Sequence, residues 1–492
     1  MIEPHASQDD AGRRFWIGAR TVVVVVALLS LELGLYHVGD FGKRTIKERT
    51  ERYGWVLVPN QSKWGLDAVA RERINAQGFR DERDWAFLEA EAEREEGRHA
   101  PLKVAVLGNS LTFGSGVTEQ QTWPRVLEQL LNDELDARGE ERDVFVLNFA
   151  VEAYTLEQMA RTYEDRIRPF EPDLLLWATV AKDIRFVDLI HVPTGEAPRR
   201  FESRTAIFAM LNEHVINRWI PLPTWRAKAP AGSAQERFWT VLLGGSQAVL
   251  LELLGQERGA AALASLSATV AQRYPGAAQL DLPGIFVECF EQVAREFVEE
   301  DRRGALVLAL YDVFEAAIPP ALWNALETDI VPNPFAPRYA GIWRIRGYRV
   351  ATITRELESR SARLALAVMP TIIQVQHTPP SPLSFWRDQW LPEVTAAGLR
   401  PLVIDAAVDY LEQMTTLREE IARRGMLMVD GRATIGADYA GADESLARIE
   451  DPWHYSAAGH RVVATTIARR LIEEGVVDEL LAATSPRTTE GN

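Results

Sequence analysis

Two stretches of this chain carry residue types that can do nucleophilic chemistry together: "VAVLGNSLTFGSGV" at 104–117 and "DPWHYSAAGHRVV" at 451–463. In the second, Asp451 and His454 stand three apart with Pro452 stiffening the turn between them. A carboxylate that near can hold Nδ1 of the imidazole, fix its tautomer and leave Nε2 to accept a proton from a serine. In the first, Ser110 ends an apolar run and precedes a turn punctuated by Gly114 and Gly116. It sits where a helix would begin, and backbone N–H groups there favour developing negative charge. Taken alone, Ser110 equally fits a helix cap or a turn serine, and its spacing is G-x-S-x-x-x-G rather than the G-x-S-x-G elbow. Ser456 is placed to cap the helix opening at "AAGHRVV", and His460 falls inside that helix as a packing or surface histidine.

The elements that must position these residues are short, continuous apolar runs: "LKVAVLG" (102–108), "DVFVLN" (143–148), "DLLLWATV" (173–180), "RLALAVM" (363–369) and "GMLMVD" (425–430). Such runs suit strands covered on both faces. Helical spacing between the first three gives the order β-α-β-α-β, hence a parallel sheet with right-handed crossovers in a three-layer α/β domain. From about 204 to 348 long amphipathic stretches take over, broken by the Pro-rich "IPLPTWRAKAPAG" and "IVPNPFAPRYAG". They predict a mostly helical insertion, with "GALVLALYD" as a hidden strand within it.

The pairing of "GNS" with "DPWH", in that order and at that separation, resembles the SGNH, or GDSL, hydrolase superfamily, whose first block is Gly-Asp-Ser and whose last is Asp-x-x-His. The likeness covers roughly 100–185 and 360–475, and "INAQGFRDE" resembles the lead-in of membrane-anchored bacterial members. It implies a flavodoxin-like parallel sheet and ester hydrolysis without a metal or organic cofactor. Ser110 would be the nucleophile, His454 the general base and then acid, and Asp451 its orienter. Three positions depart from the family pattern. The aspartate before the serine is Asn109. The second-block glycine falls in "NFAVEAYT" on Ala153 or its neighbour Ala150. The third-block asparagine is Lys182, in "TVAKDI". The resemblance thus implies an oxyanion hole of Ser110, Ala153 and Lys182, the alanine serving through its N–H if it can hold the backbone angles required.

Substrate is read as a small-molecule or glycan ester, such as an O-acyl group on a carbohydrate. Two alternatives stay open: a catalytically degenerate member that binds a glycan or an envelope partner, and an O-acyltransferase, since a sugar hydroxyl can intercept an acyl-enzyme in place of water.

With 492 residues the chain exceeds what one hydrophobic core usually supports. The expected division is 1–40 as tail and membrane anchor, 41–100 as an extended lead-in with the charged helix "FLEAEAEREEGRH", 101–480 as the interrupted hydrolase-like domain, and 481–492 as a disordered tail. Acidic residues outnumber basic ones, 70 to 54, and a net charge of -16 repels phosphate backbones and excludes a nucleic-acid role. A single cysteine, Cys289, allows neither an intramolecular disulfide nor a Cys-based zinc site. The apolar run from Thr21 to Leu31, extended to Phe15–Val38, predicts an N-terminal transmembrane helix. Basic residues flanking it (Arg13, Arg14 and Arg20 before; Lys43, Arg44, Lys47, Arg49 and Arg52 after) favour a cytoplasmic body, whereas the family resemblance implies an extracytoplasmic one.

Overall fold

The structure, a computed structural model, describes residues 8–37, 47–50, 52–64, 70–86, 101–184, 234–274, 281–318, 337–369, 399, 401–405, 428–429, 432–433 and 454–484. The chain opens with a 30-residue helix, α1 (Gln8–His37), whose valines and leucines between Val22 and Leu33 are exposed. Two antiparallel pairs follow, β1 (Lys47–Thr50) with β2 (Gly54–Leu57) and β3 (Ser62–Trp64) with β4 (Arg71–Arg73). Together with the turns as far as 86 they form an arm packed on the core.

That core is built on β5 (Leu102–Leu107), then α2 (Ser110–Phe113), α3 (Trp123–Arg138), β6 (Val144–Asn148), α4 (Leu156–Thr162) and β7 (Leu174–Thr179). Five helices intervene before the sheet resumes: α5 (Ala234–Leu254), α6 (Gln256–Arg273), α7 (Leu282–Phe297), α8 (Glu300–Ala317) and α9 (Ala340–Ser359). Strands β8 (Arg363–Val368) and β9 (Leu402–Asp405) complete the sheet, and α10 (Ala457–Glu473) and α11 (Val476–Thr484) end the described chain.

The sheet is five-stranded and wholly parallel, in the order β6-β5-β7-β8-β9. Numbered along the chain this is 2-1-3-4-5, a doubly wound order whose switch point lies between β5 and β7. Alternation along each strand builds the two faces. Val104 and Val106 join Val146, Leu176 and Ala367 under α3, α10 and α11, while Ala105 and Leu107 join Leu147, Trp177 and Leu366 against α4, α9, the arm and the insertion. Every residue of β7 is buried, as a central strand covered on both sides requires.

The insertion is fastened to the core by charge. Glu157 of α4, fully buried, pairs with Arg346 and Arg349 of α9 and with Arg161 of its own helix, while Glu315 of α8 pairs with Arg161 and Arg346. Burial alone would raise the Glu157 carboxyl, but Arg349, Arg346 and Arg161 outweigh it and hold the group down at about 2.

Several expectations are corrected. "GALVLALYD" is no strand but part of α8; most of its apolar residues are buried, and a helix buried nearly all round has the same continuous pattern as a covered strand. Met428–Val429 pairs antiparallel with Arg432–Ala433 in a separate ladder, and the fifth sheet strand is β9, from "PLVID". Helix α9 straddles the expected end of the insertion at 348, and α11 continues to Thr484, past the expected boundary at 481. The charged helix expected at 87–99 lies outside the described residues. Among the described residues no helix is long and apolar enough to cross a membrane.

Candidate active site

In open doubly wound sheets the crevice lies beyond the carboxyl ends of the strands at the switch point. Here that crevice receives the loops after β5, β6 and β7. Leaving β5, the chain passes Gly108, where a Cβ would lie 2.1 Å from Thr112 Oγ1, so glycine is the only residue that lets the following turn close this tightly. Asn109 then caps α2: its Oδ1 accepts from Leu111 N at 3.0 Å. Its Nδ2 donates to both carboxylate oxygens of Asp183, each at 2.9 Å. Asp183 is fully buried just after β7, and it also accepts from Val180 N at 3.0 Å and Thr179 Oγ1 at 3.3 Å. This amide–carboxylate link spans the switch point and ties the Ser110 turn to the loop carrying Lys182.

Ser110 follows the cap and is partly exposed at the first position of α2. That helix has four residues, too few for the helix-dipole support expected from sequence; what remains is the individual N–H of the turn. The loop after β6 is pinned beside it: Phe149 N donates to Val106 O at 2.9 Å, Val151 N to Gly108 O at 3.2 Å, and Asn148 Nδ2 to Thr112 O at 3.2 Å. Two residues on, Ala153 adopts φ +63°, one of four non-glycine residues with positive φ among those described. This is the left-handed conformation that a glycine adopts freely and that costs an alanine about 1–2 kcal/mol. Ala150, the other second-block candidate, instead donates its N–H to Asn148 Oδ1 at 3.1 Å. Among the described residues, the N–H groups of Ser110 and Ala153 meet no acceptor. Glu152, next to Ala153, accepts from Ser115 Oγ at 2.8 Å and pairs with Lys47 of β1 at 2.9 Å.

His454 is partly buried and immediately precedes Tyr455, which belongs to the same apolar cluster as Leu111, Val180 and Met369. Those three each follow a strand end or the nucleophile turn, so His454 and Ser110 border one cluster at the carboxyl edge of the sheet. Ser456 caps α10, its Oγ accepting from Gly459 N at 3.2 Å. His460, as expected of a packing residue, is buried, and its Nδ1 accepts from Trp123 N at 3.2 Å at the start of α3. Burial first, then the charges of Arg80 and His454, pushes its imidazole down to about 3, which keeps that lone pair free to accept. Asp451 and the side chain of Lys182 lie outside the described residues.

Three participants escape local sequence reasoning. Asp183 was legible only as a neighbour of Lys182, Glu152 as a surface acid, and Arg80 as one arginine within "INAQGFRDE". The signal of Asp183 and Arg80 is burial, and that of Glu152 its partners Ser115 and Lys47, none of which a short motif announces. The one group of carboxylates able to share an ion among the described residues, Glu157, Asp312 and Glu315, lies in the insertion seam, where Arg161, Arg346 and Arg349 already supply the positive charge. A mostly apolar cavity of about 320 Å³ between α5, α6 and α7, lined by Trp239, Leu266 and Phe290, belongs to the insertion and holds none of the candidate catalytic residues. No protein-family model, no curated protein and no solved structure matches this chain.

Proposed function

We propose that the chain is a serine esterase of the SGNH type, acting on an ester such as an O-acyl group on a carbohydrate. Ser110 Oγ attacks the acyl carbon while His454 Nε2, oriented by Asp451, takes its proton and then delivers it to the leaving alcohol; water, activated by the same histidine, releases the acyl group. The oxyanion is received by the N–H groups of Ser110 and Ala153, with the Lys182 ammonium as third donor. One observation carries the reading: Ala153, where the resemblance places the second-block glycine, holds a left-handed backbone that glycine adopts freely, with its N–H unengaged. Strain of this kind persists where the surrounding structure enforces it, and it gathers at active sites. The scheme itself calls on no metal or organic cofactor.

The test is covalent labelling with a fluorophosphonate. The full chain is expected to react at Ser110, and Ser110→Ala or His454→Ala to abolish the adduct. Folded protein that stays unlabelled from about pH 6 to 9, the range in which a histidine base acts, would favour a degenerate, binding-only member. The exposed apolar surface of α1 supports attachment to a membrane, and we place the body outside the cytoplasm. Phosphatase activity from a reporter fused after Asn492 is the expected result, and a fusion active only in the cytosol would reverse that placement.

A further inference from the structure

Arg80 belongs to the arm, outside the sheet domain, yet its side chain is 1% exposed beneath the turn that follows Ser110. Its Nη1 donates to Phe113 O at 3.0 Å and to Gly114 O, its Nη2 donates to Val117 O, and the guanidinium carbon lies 5.0 Å from the centre of the Phe113 ring. Gly114, at φ +85°, returns its own N–H to Ser110 O at 3.0 Å; a Cβ there would lie 3.2 Å from Arg80 Nη1 and 2.3 Å from Thr122 Cγ2. Arg80 forms no ion pair among the described residues, and its Nε is buried without a hydrogen-bond partner.

A buried cation held by three main-chain carbonyls and directly paired with no acid is a poor device for stability: Glu72, Glu119, Glu152 and Glu82 act on it only at a distance, and burial outweighs their pull. It is a good device for geometry. A guanidinium is planar and rigid, so three carbonyls bound to one fork cannot move independently. The same arm reaches the site a second time through Lys47, whose partner Glu152 is hydrogen-bonded to Ser115 and precedes Ala153. We propose that Arg80 is the positioning residue of the nucleophile turn: its fork fixes residues 113–117 and thereby the direction in which Ser110 presents its hydroxyl. The assignment rests on the esterase reading above for its catalytic consequence, though not for its effect on the turn.

Arg80→Lys keeps the charge and removes the fork. It is expected to lower kcat on 4-nitrophenyl acetate and the fluorophosphonate labelling rate about 10²-fold with KM within about twofold, the size of loss a misplaced reacting group gives. Amide exchange across 108–117 is expected to accelerate at least about tenfold while that of 174–179 stays unchanged, the signature of a local opening. Arg80→Ala removes the fork together with the charge; the same losses are expected, and they keep the proposal testable if Arg80→Lys folds poorly. In Arg80→Ala, added guanidinium ion should restore part of the labelling rate, which a general loss of stability would not allow. Wild-type exchange across 108–117 in both Arg80→Lys and Arg80→Ala overturns the proposal. If the native chain resists the fluorophosphonate while the turn still loosens in the variants, the esterase reading falls and the positioning role stands.

Discussion

Two seams join added structure to the sheet, and they treat buried charge differently. At the insertion seam Arg346, fully buried, faces Glu157 and Glu315, and Arg349 faces Glu157 and Asp312. At the arm seam Arg83 is likewise paired, with Asp81 and with Glu128, but Arg80 three residues earlier forms its hydrogen bonds only with main-chain carbonyls and pairs directly with no acid among the described residues. A charge-matched network fixes which surfaces meet and adds little beyond that, whereas a buried cation with no directly paired acid is tolerated where it holds a shape. The paired seam is a fastening; the arginine without a direct acid partner lies under the candidate nucleophile.

The sharpest way to break this comparison is to unbalance the fastening. Glu157→Gln keeps the volume but turns one accepting oxygen into an amide donor and leaves Arg346 and Arg349 without their shared charge. A loss of about 3–5 kcal/mol is expected, because an uncompensated buried cation costs more than the intact pair contributes. Urea unfolding measures it, and a loss below about 1 kcal/mol would show that the seam is not held by this residue.

The same contrast has a pH signature. Glu119, in the turn before α3, is pushed up to about 7, chiefly by burial and further by Asp81 and Glu82, with Arg125 acting in the opposite sense. Because the folded state binds this proton more tightly than the unfolded chain does, Glu119 contributes a loss of stability as pH rises from about 4.5 to about 7. Glu157 runs the other way: its contribution is complete above about 4.5 and is lost as pH falls toward about 2. Glu119→Gln should therefore flatten the stability profile between about pH 5 and 7, removing a slope worth on the order of 2–3 kcal/mol, and leave the acid limb intact. An unaltered profile between pH 5 and 7 in that variant, followed by thermal melts, would remove Glu119 as the source.

How much of this was readable beforehand follows from what kind of interaction made each feature. Strands β5, β6, β7 and β8 announced themselves because covered strands are apolar without interruption, and the intervening helical spacing implied a parallel order. Strand β9 is four residues long, and so short a run does not stand out from loop. α8 was mistaken for a strand because its burial on most sides erased the 3.6-residue period. Within the site, Ser110 was found by its place at a strand's end, which is a local property, whereas Ala153 came only through the resemblance's second block, with Ala150 beside it as the alternative. Arg80 reaches carbonyls 33 to 37 residues away, and nothing in "GFRD" distinguishes a buried arginine from a solvated one. Asn109 was noted as a lost charge, yet its amide donates to Asp183, which supplies a carboxylate from the far side of the switch point.

The smallest expected effect bears on whether the strain at Ala153 belongs to the arm side of the site or only passes through it. Ala153 sits one residue after Glu152, which the arm grips through Lys47, and it holds φ +63°. Replacing it with glycine removes a conformational cost of about 1–2 kcal/mol in the folded state. The replacement also adds about 0.4–1 kcal/mol of backbone freedom to the unfolded chain. The balance is a gain of about 0.5–1 kcal/mol for Ala153→Gly, with the fluorophosphonate labelling rate within about twofold of the native chain because the N–H keeps its place. Ala153→Val, whose branched side chain tolerates that conformation poorly, should instead destabilise and slow labelling. Freed of its tie in Lys47→Met, Ala153 could relax toward an ordinary backbone, and the gain from glycine should then shrink toward zero or below. If Ala153→Gly stabilises the Lys47→Met chain as much as the native one, the arm does not enforce the strained loop, and its hold on the site reduces to Arg80 alone.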